Sequence, residues 1–133
     1  MRYETFVDKV GDKAGITHDA EARQGVAAVL QTLDERLPHA ERKLVAAQLD
    51  DDLKAHFASE REFDSFDLKE FVTRVGVRAD LDRKDAWDRT VAVVEVLKEA
   101  VSSGVVVEMV KALDQSYGAL FTEQGTGPLG PAE

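Results

Sequence analysis

The second half of this 133-residue chain repeats the pattern of the first half. The two halves align at an offset of 65 residues up to about position 17 and, after a single gap, at an offset of 64 residues. Self-similarity at a fixed offset predicts two copies of one structural unit packed against each other. The matching pairs, mostly apolar, include Phe6 and Phe71, Val10 and Val75, Gly11 and Gly76, Ala22 and Ala86, Val29 and Val93, Leu33 and Leu97, Glu35 and Glu99, Leu49 and Leu113, and Phe57 and Phe121.

Apolar residues within each copy recur at helical spacing. Tyr3, Phe6, Val7 and Val10 follow an i, i+3, i+4, i+7 pattern, which is typical of an amphipathic helix and not of a strand. The sequence therefore predicts an all-α fold, a helical bundle made of two similar helical units in a pseudo-twofold tandem repeat. The Val105 to Val107 run is β-branched and would favour a strand in isolation, but the alignment with the first copy predicts helix.

Helix start signals agree with this pattern. Thr17 and Asp82 are predicted N-caps, and Pro38 suits the first turn of a third helix. We expect a single all-helical domain over 1–122, in which unit one spans 2–57, a polar connection with Phe63 as its tether spans 58–65, and unit two spans 66–121. Residues 123–133 are rich in Gly and Pro, and they are predicted to be a disordered tail.

Composition narrows the function. Seventeen basic residues against 26 acidic ones give a net charge of −9, which disfavours binding to nucleic acid or to an anionic membrane surface. The absence of Cys removes disulfides, thiolate nucleophiles and iron–sulfur clusters. No signal-peptide or membrane-spanning pattern is present, so the sequence predicts a cytoplasmic protein.

The repeat pattern is similar to that of a known family. The opening YETFVDKV, the segments AEARQGVAAVLQTLDERLP and LVAAQLDDDLKAHF, and their second-half counterparts FVTRVGV, AVVEVLKEAV and ALDQSYGALF resemble the bacterial domain-of-unknown-function family numbered 2267. The resemblance covers most of residues 3–121. It implies an all-helical fold of tandem similar units, and it implies no activity, cofactor or site residue.

Candidate metal and catalytic residues find ordinary structural explanations. His18, His39 and His56 have no partner at metal-ligand spacing, and we interpret them as surface or boundary residues. The Asp50 to Asp52 run is expected to favour a helix start. The Asp80 to Asp88 segment lacks the glycine and the final glutamate of a calcium-binding loop. No Gly-x-Ser-x-Gly elbow occurs, so the sequence predicts no catalytic residue, no metal site and no cofactor.

Three residues are candidates for an interaction surface: Trp87, Phe63 and Val106. Trp87, the only tryptophan, can either cover the core or meet a partner, and core cover is favoured because large aromatic side chains are usually buried. The leading hypothesis is a non-catalytic helical module that contacts a protein partner or a second copy of itself. The alternative is a small-ligand-binding protein or enzyme with a pocket between the two units.

Overall fold

The computed structural model describes residues 1–121, and these residues form helices and no strand. The predicted all-α fold is therefore confirmed. The α-helices, in chain order, are α1 (Tyr3–Ala14), α2 (Asp19–Arg36), α3 (His39–Ala46), α4 (Asp51–Lys54), α5 (Leu68–Ala79), α6 (Arg83–Ala100) and α7 (Ser103–Ala112). Two 3₁₀ helices, Ala55–Phe57 and Gln115–Leu120, follow α4 and α7 respectively.

Helix lengths follow the register of the sequence alignment. α1 and α5 each contain 12 residues, and α2 and α6 each contain 18. The pseudo-twofold relation between the units and the proposed unit boundaries stay predictions, and the predicted tail at 123–133 lies outside the described residues. The Val105 to Val107 run lies within α7, as the alignment with the first copy predicted.

The first helix of each half packs against the long helix of the other half. α1 contacts both α2 and α6, and α5 contacts both α6 and α2. Val26, Val29 and Leu30 of α2 are fully buried, as are Val93 and Val96 of α6. Because all four helices share these buried side chains, residues of both halves contribute to one continuous core.

The helix starts are partly as predicted. The Asp82 carboxylate caps α6 by accepting a hydrogen bond from the backbone N–H of Asp85 at 2.9 Å. Thr17 was wrongly predicted to cap α2, because the helix begins one residue later and His18 occupies the N-cap position. Pro38 likewise lies at the N-cap position of α3, where its lack of an N–H costs nothing.

The two matching glycines differ in how closely the chain approaches them. A Cβ atom at Gly76 would lie 2.9 Å from the Leu81 carbonyl oxygen, and one at Gly11 would lie 3.3 Å from the Ile16 carbonyl oxygen. Alanine gains up to about 1 kcal/mol over glycine within a helix, whereas overpacking costs about 1–3 kcal/mol. We expect Gly76→Ala to lower the free energy of unfolding by about 1–2 kcal/mol and Gly11→Ala to change it little, as measured by urea denaturation. Equal effects would contradict this.

Candidate interaction surface

The structure separates the three predicted interaction residues. Trp87 is 6% exposed and lies in the core, which agrees with the favoured interpretation of this side chain. Phe63 is exposed, and its ring lies 6.0 Å from the guanidinium carbon of Arg36. Val106 is partly buried and packs against the edge of the core. The three residues therefore do not form one apolar group, and Trp87 offers little surface to a partner.

Val106 lies beside two exposed apolar residues of the same helix. Val107 is 50% exposed and Val110 is 42% exposed. Residues 106 and 110 are four positions apart, and residues 107 and 110 are three apart, so the three side chains are neighbours on the helix surface. We call Val106, Val107 and Val110 the α7 patch. Sequence reasoning identified Val106 within the Val105 to Val107 run, but it did not identify Val110.

A small apolar pocket adjoins the α7 patch. It has a volume of about 190 Å³, and Val110 is one of its lining residues. Its walls come from the end of α7 and from the 3₁₀ helix that follows. The other lining residues are Leu113, Asp114, Gln115, Tyr117, Gly118 and Phe121. The pocket therefore extends the α7 patch towards the point where residue 121 leads into the rest of the chain.

The opposite side of α7 is held against α3. These two helices pack together, and the Gln48 amide side chain accepts a hydrogen bond from the Ser102 backbone N–H at 2.6 Å. The Ser102 hydroxyl in turn caps α7 by accepting from the backbone N–H of Val105. These contacts fix the orientation of α7, and the α7 patch is consequently presented by a helix that is anchored at its start.

Arg42, a buried arginine of α3, holds the connection between the two halves. Its side chain is 2% exposed, and its Nε donates to the Leu37 carbonyl at 2.7 Å. Its Nη1 donates to the carbonyls of Ser59 at 3.2 Å and of Arg61 at 2.6 Å. Buried carbonyls need such donors, because an unpaired buried polar group is costly. Arg42 therefore fixes the beginning of the connection against α3.

A second buried arginine, Arg36 at the end of α2, fixes the other end of the connection. Its Nε donates to the Phe66 carbonyl at 2.7 Å, and the Tyr117 hydroxyl donates to the same oxygen at 2.7 Å. The guanidinium carbon of Arg36 also lies 5.2 Å from the centre of the Tyr117 ring. Phe66 is 9% exposed, so the predicted tether Phe63 was the wrong aromatic: the buried ring is three residues further along.

Asp34 is an incompletely satisfied member of this polar group. Its Oδ1 has no hydrogen-bond partner among the described residues and lies 3.8 Å from the Nε of Arg42. Burial raises the pKa of Asp34 above its ordinary value, and the positive charge of Arg42 opposes this shift. Asp34 therefore depends on Arg42 for most of the compensation that its charge receives.

The matching glutamates Glu35 and Glu99 each join the two halves by ion pairs. On α2, the Glu35 carboxylate lies 2.6 Å from Arg78 Nη2 and 3.2 Å from Arg74 Nη1, and both arginines belong to α5. On α6, the Glu99 carboxylate lies 3.1 Å from Nζ of Lys9, which belongs to α1. The side chain of Glu35 is 15% exposed, and that of Glu99 is 43% exposed. The ion pairs of Glu35 are thus better shielded from solvent than the ion pair of Glu99.

An open cleft of about 390 Å³ lies at the boundary between the two halves. It lies between the end of α1 and the middle of α6, and Trp87 is one of its lining residues. Lys13 and Glu95, which also line it, are paired at 3.8 Å. The ligand hypothesis predicted an apolar pocket with converging polar groups. This cleft instead exposes charged side chains that already have partners.

The structure places the three histidines at the surface or at the boundary of the core. His18 and His39 are exposed, and His56 is half-buried, which lowers its pKa through burial. No group of three metal-ligating side chains that could hold an ion occurs within residues 1–121. Asp50 does not cap its own helix by its side chain; it accepts a hydrogen bond from the Tyr3 backbone N–H at the start of α1, at 2.8 Å.

Sequence reasoning missed the two clamping arginines. Arg36 and Arg42 align with Ala100 and Val106 in the second half, positions that are apolar there. An apolar counterpart does not by itself indicate burial, because the exposed Lys43 also aligns with an apolar residue of the second half. The sequence therefore gave no signal that separates these two arginines from arginines at the surface.

The fold places this chain in the class of all-helical bundle proteins, with the α7 patch as its candidate interaction surface. No helix within residues 1–121 has both the length and the apolar character needed to cross a membrane. The chain matches the family model described as "Uncharacterized conserved protein (DUF2267)" over residues 3–120, and it belongs to this family. The predicted family is confirmed. A comparison with curated proteins finds no match.

Proposed function

We propose that this protein is a non-catalytic helical protein-interaction module and that the α7 patch is its contact surface. The observation that carries the proposal is the exposure of Val107 and Val110 beside Val106 on one helix. Exposed apolar side chains that adjoin an apolar pocket are typical of contact surfaces, where burial of apolar area contributes about 25 cal/mol per Å². A cytoplasmic location is part of this proposal.

The size of the small pocket beside Val110 indicates which kind of group from a partner would bind there. Its volume of about 190 Å³ suits one large apolar side chain better than a drug-sized ligand, whose sites usually measure about 300–1,000 Å³. The alternative function, a small-ligand-binding protein or enzyme, has weaker support because the cleft between the halves is open and lined by paired charges. A partner that inserts an apolar anchor beside α7 fits the observed surface best.

Site-specific photo-crosslinking tests this proposal. We expect a photoreactive side chain at position 107 to form adducts with a partner in cells that make the protein, and a second substitution, Val110→Glu, to reduce those adducts about tenfold or more, because a charge would enter the apolar contact. Adducts of twice the chain mass would identify a second copy as the partner. The matched control is position 69, since Lys69 is an exposed polar residue on α5 and not on α7.

Equal adduct yields at positions 107 and 69 would contradict the proposal, as would yields at 107 that Val110→Glu leaves unchanged. Thermal unfolding of Val110→Glu provides the folding control. The side chain is 42% exposed and glutamate is a good helix former, so the variant is expected to unfold within a few degrees of the unmodified chain.

A further inference from the structure

The second half contains an open apolar pocket between α5 and the beginning of α6. Its volume of about 290 Å³ lies close to the lower end of the range of small-molecule sites, which usually measure about 300–1,000 Å³. Val77 at its edge is 79% exposed, more than any other large apolar side chain within residues 1–121. The lining residues are mostly apolar: Val72, Thr73, Gly76, Val77, Leu81, Arg83 and Ala86.

Arg83 carries the only charge among the residues that line this pocket. Its guanidinium forms no ion pair or hydrogen bond with the described part of the chain, whereas the neighbouring Lys84 pairs with Asp88 at 3.0 Å. Thr73, the other polar lining residue, donates its hydroxyl proton to the Lys69 carbonyl at 3.1 Å. The pocket therefore combines apolar walls with one unpaired cation, and this combination favours a ligand with an apolar body and one negative charge.

The acidic residues nearest to Arg83 in sequence do not line the pocket. The Asp82 carboxylate already accepts a hydrogen bond from the Asp85 backbone N–H at the start of α6, at 2.9 Å. Neither of these residues, nor Asp80 at the end of α5, contributes to the pocket wall. An anion that pairs with Arg83 consequently meets no carboxylate among the residues that surround it.

The first half has a cleft of about 530 Å³ at the matching place, and its charge is opposite. The two clefts are alike at four aligned lining positions: Val7 and Val72, Gly11 and Gly76, Ile16 and Leu81, and Ala22 and Ala86. They differ at three others: Asp8 and Thr73, Asp12 and Val77, and Asp19 and Arg83. All six differing residues are exposed, so the packing of the helices requires neither set. The acidic cleft should repel the anion that Arg83 attracts.

We propose that this second-half pocket binds a small free carboxylic acid with a short alkyl chain, whose carboxylate pairs with Arg83 while the chain covers Val77 and Leu81. The planar guanidinium matches a carboxylate with two parallel hydrogen bonds, whereas one arginine would leave part of the charge of a phosphate dianion unpaired. The site lies within the second half and not between the halves. It involves no residue of the α7 patch, so it is independent of the proposed function.

Methyl NMR of the full chain during a titration with hexanoate tests this site. We expect saturable shifts of the Val72, Val77 and Leu81 methyl signals, with a dissociation constant of about 1 mM or below. The Val7 and Ile16 methyl signals serve as an internal control, because they report on the acidic cleft of the first half. These two signals are expected to stay unchanged.

Two variants with the same net charge show whether Arg83 is responsible. Arg83→Gln is expected to weaken hexanoate binding about fivefold or more, because the carboxylate loses its charged partner. Lys84→Gln removes an equal charge at the next exposed position, which does not line the pocket, and it is expected to change the dissociation constant by less than about twofold. Hexanol, which has the same alkyl chain without the charge, is expected to bind the parent chain as weakly as hexanoate binds Arg83→Gln. Thermal unfolding of both variants confirms that they fold.

Several results would overturn the inference. The absence of saturable shifts, equal shifts in the two clefts, or equal dissociation constants for Arg83→Gln and Lys84→Gln would show that Arg83 does not form a carboxylate site. Hexanol binding as tightly as hexanoate would show the same. Tighter binding of N-acetyl-leucine than of hexanoate would exclude a free alkyl acid and identify a peptide carboxyl terminus as the ligand. None of these results affects the α7 patch, which the crosslinking experiment tests separately.

Discussion

Arg42→Met is expected to lower the free energy of unfolding by about 3–5 kcal/mol, the range found when one member of a buried charged pair is removed. Three carbonyls, those of Leu37, Ser59 and Arg61, lose their donor. Methionine fills a similar volume, so the loss reflects unpaired polar groups and not a cavity. Urea denaturation measured by circular dichroism at pH 7 gives the value.

Two variants show whether the clamp is the cause. Lys43→Met, at the exposed neighbouring position on α3, is expected to change stability by less than about 0.5 kcal/mol. Asp34→Asn combined with Arg42→Met is expected to recover part of the loss, because the buried Asp34 charge that Arg42 compensates is then absent. If Arg42→Met costs no more than Lys43→Met, the arginine does not hold the connection.

The helices were predictable from the sequence because apolar periodicity is a local signal. Phe6, Val7 and Val10 at helical spacing required α1, and the matching residues required α5. The alignment also resolved the Val105 to Val107 run correctly, since the first copy has no β-branched run at that place. Helix starts were less predictable, because Thr17 and His18 are neighbouring polar residues and the packing of α2 decides which one lies at its N-cap.

The polar contacts of the connection could not be predicted in the same way. Arg42 and the carbonyl of Arg61 are 19 positions apart, and no periodicity relates them. Backbone carbonyls carry no sequence signal, so an arginine that binds them resembles a surface arginine. The burial of Phe66 and the exposure of Phe63 depend on where Arg36 anchors the chain. Sequence reasoning therefore selected the wrong aromatic.

The α7 patch illustrates a different limit. Val105 and Met109 are buried, and Val107 and Val110 are exposed, although all four are apolar and lie on one short helix. A helix with apolar residues on most of its surface is ambiguous in sequence, because periodicity alone does not say which side faces the core. Only the packing of α7 against α3 resolves this, and it leaves two valines at the surface.

Glu35→Gln is expected to lower the free energy of unfolding by about 2–3 kcal/mol, whereas Glu99→Gln at the matching position is expected to cost less than about 1 kcal/mol. Glu35 accepts two hydrogen bonds from Arg78 and one from Arg74, and it is 15% exposed. Glu99 pairs with lysines and is 43% exposed. Solvent screens the ion pairs of Glu99 more strongly than those of Glu35. Similar losses in urea denaturation would contradict this difference.

The pH dependence of the Glu35→Gln effect identifies its electrostatic part. Hydrogen bonds from Arg78 and Arg74 lower the pKa of Glu35 in the folded state, although burial opposes the shift. The stability that ionised Glu35 contributes is therefore fully present above its unfolded pKa of about 4.3 and is lost as pH falls through the lower folded value. We expect the difference between the parent chain and Glu35→Gln to be constant from pH 7 to about pH 5 and to shrink below about pH 4.

The ionisation of Asp34 changes stability with pH in the opposite direction to that of Glu35. Its contribution therefore has to be removed from both of the chains that are compared. Its folded pKa is raised, so the native state binds more protons than the unfolded state and stability falls as pH rises through this range. The negative charge of Glu35 contributes to that shift, which couples the two groups. Both chains should therefore carry Asp34→Asn. In that background, the loss of unfolding free energy caused by Glu35→Gln should shrink at low pH. A loss that stays constant down to pH 3 would mean that it comes from packing and not from the pairing of the Glu35 charge with Arg78 and Arg74.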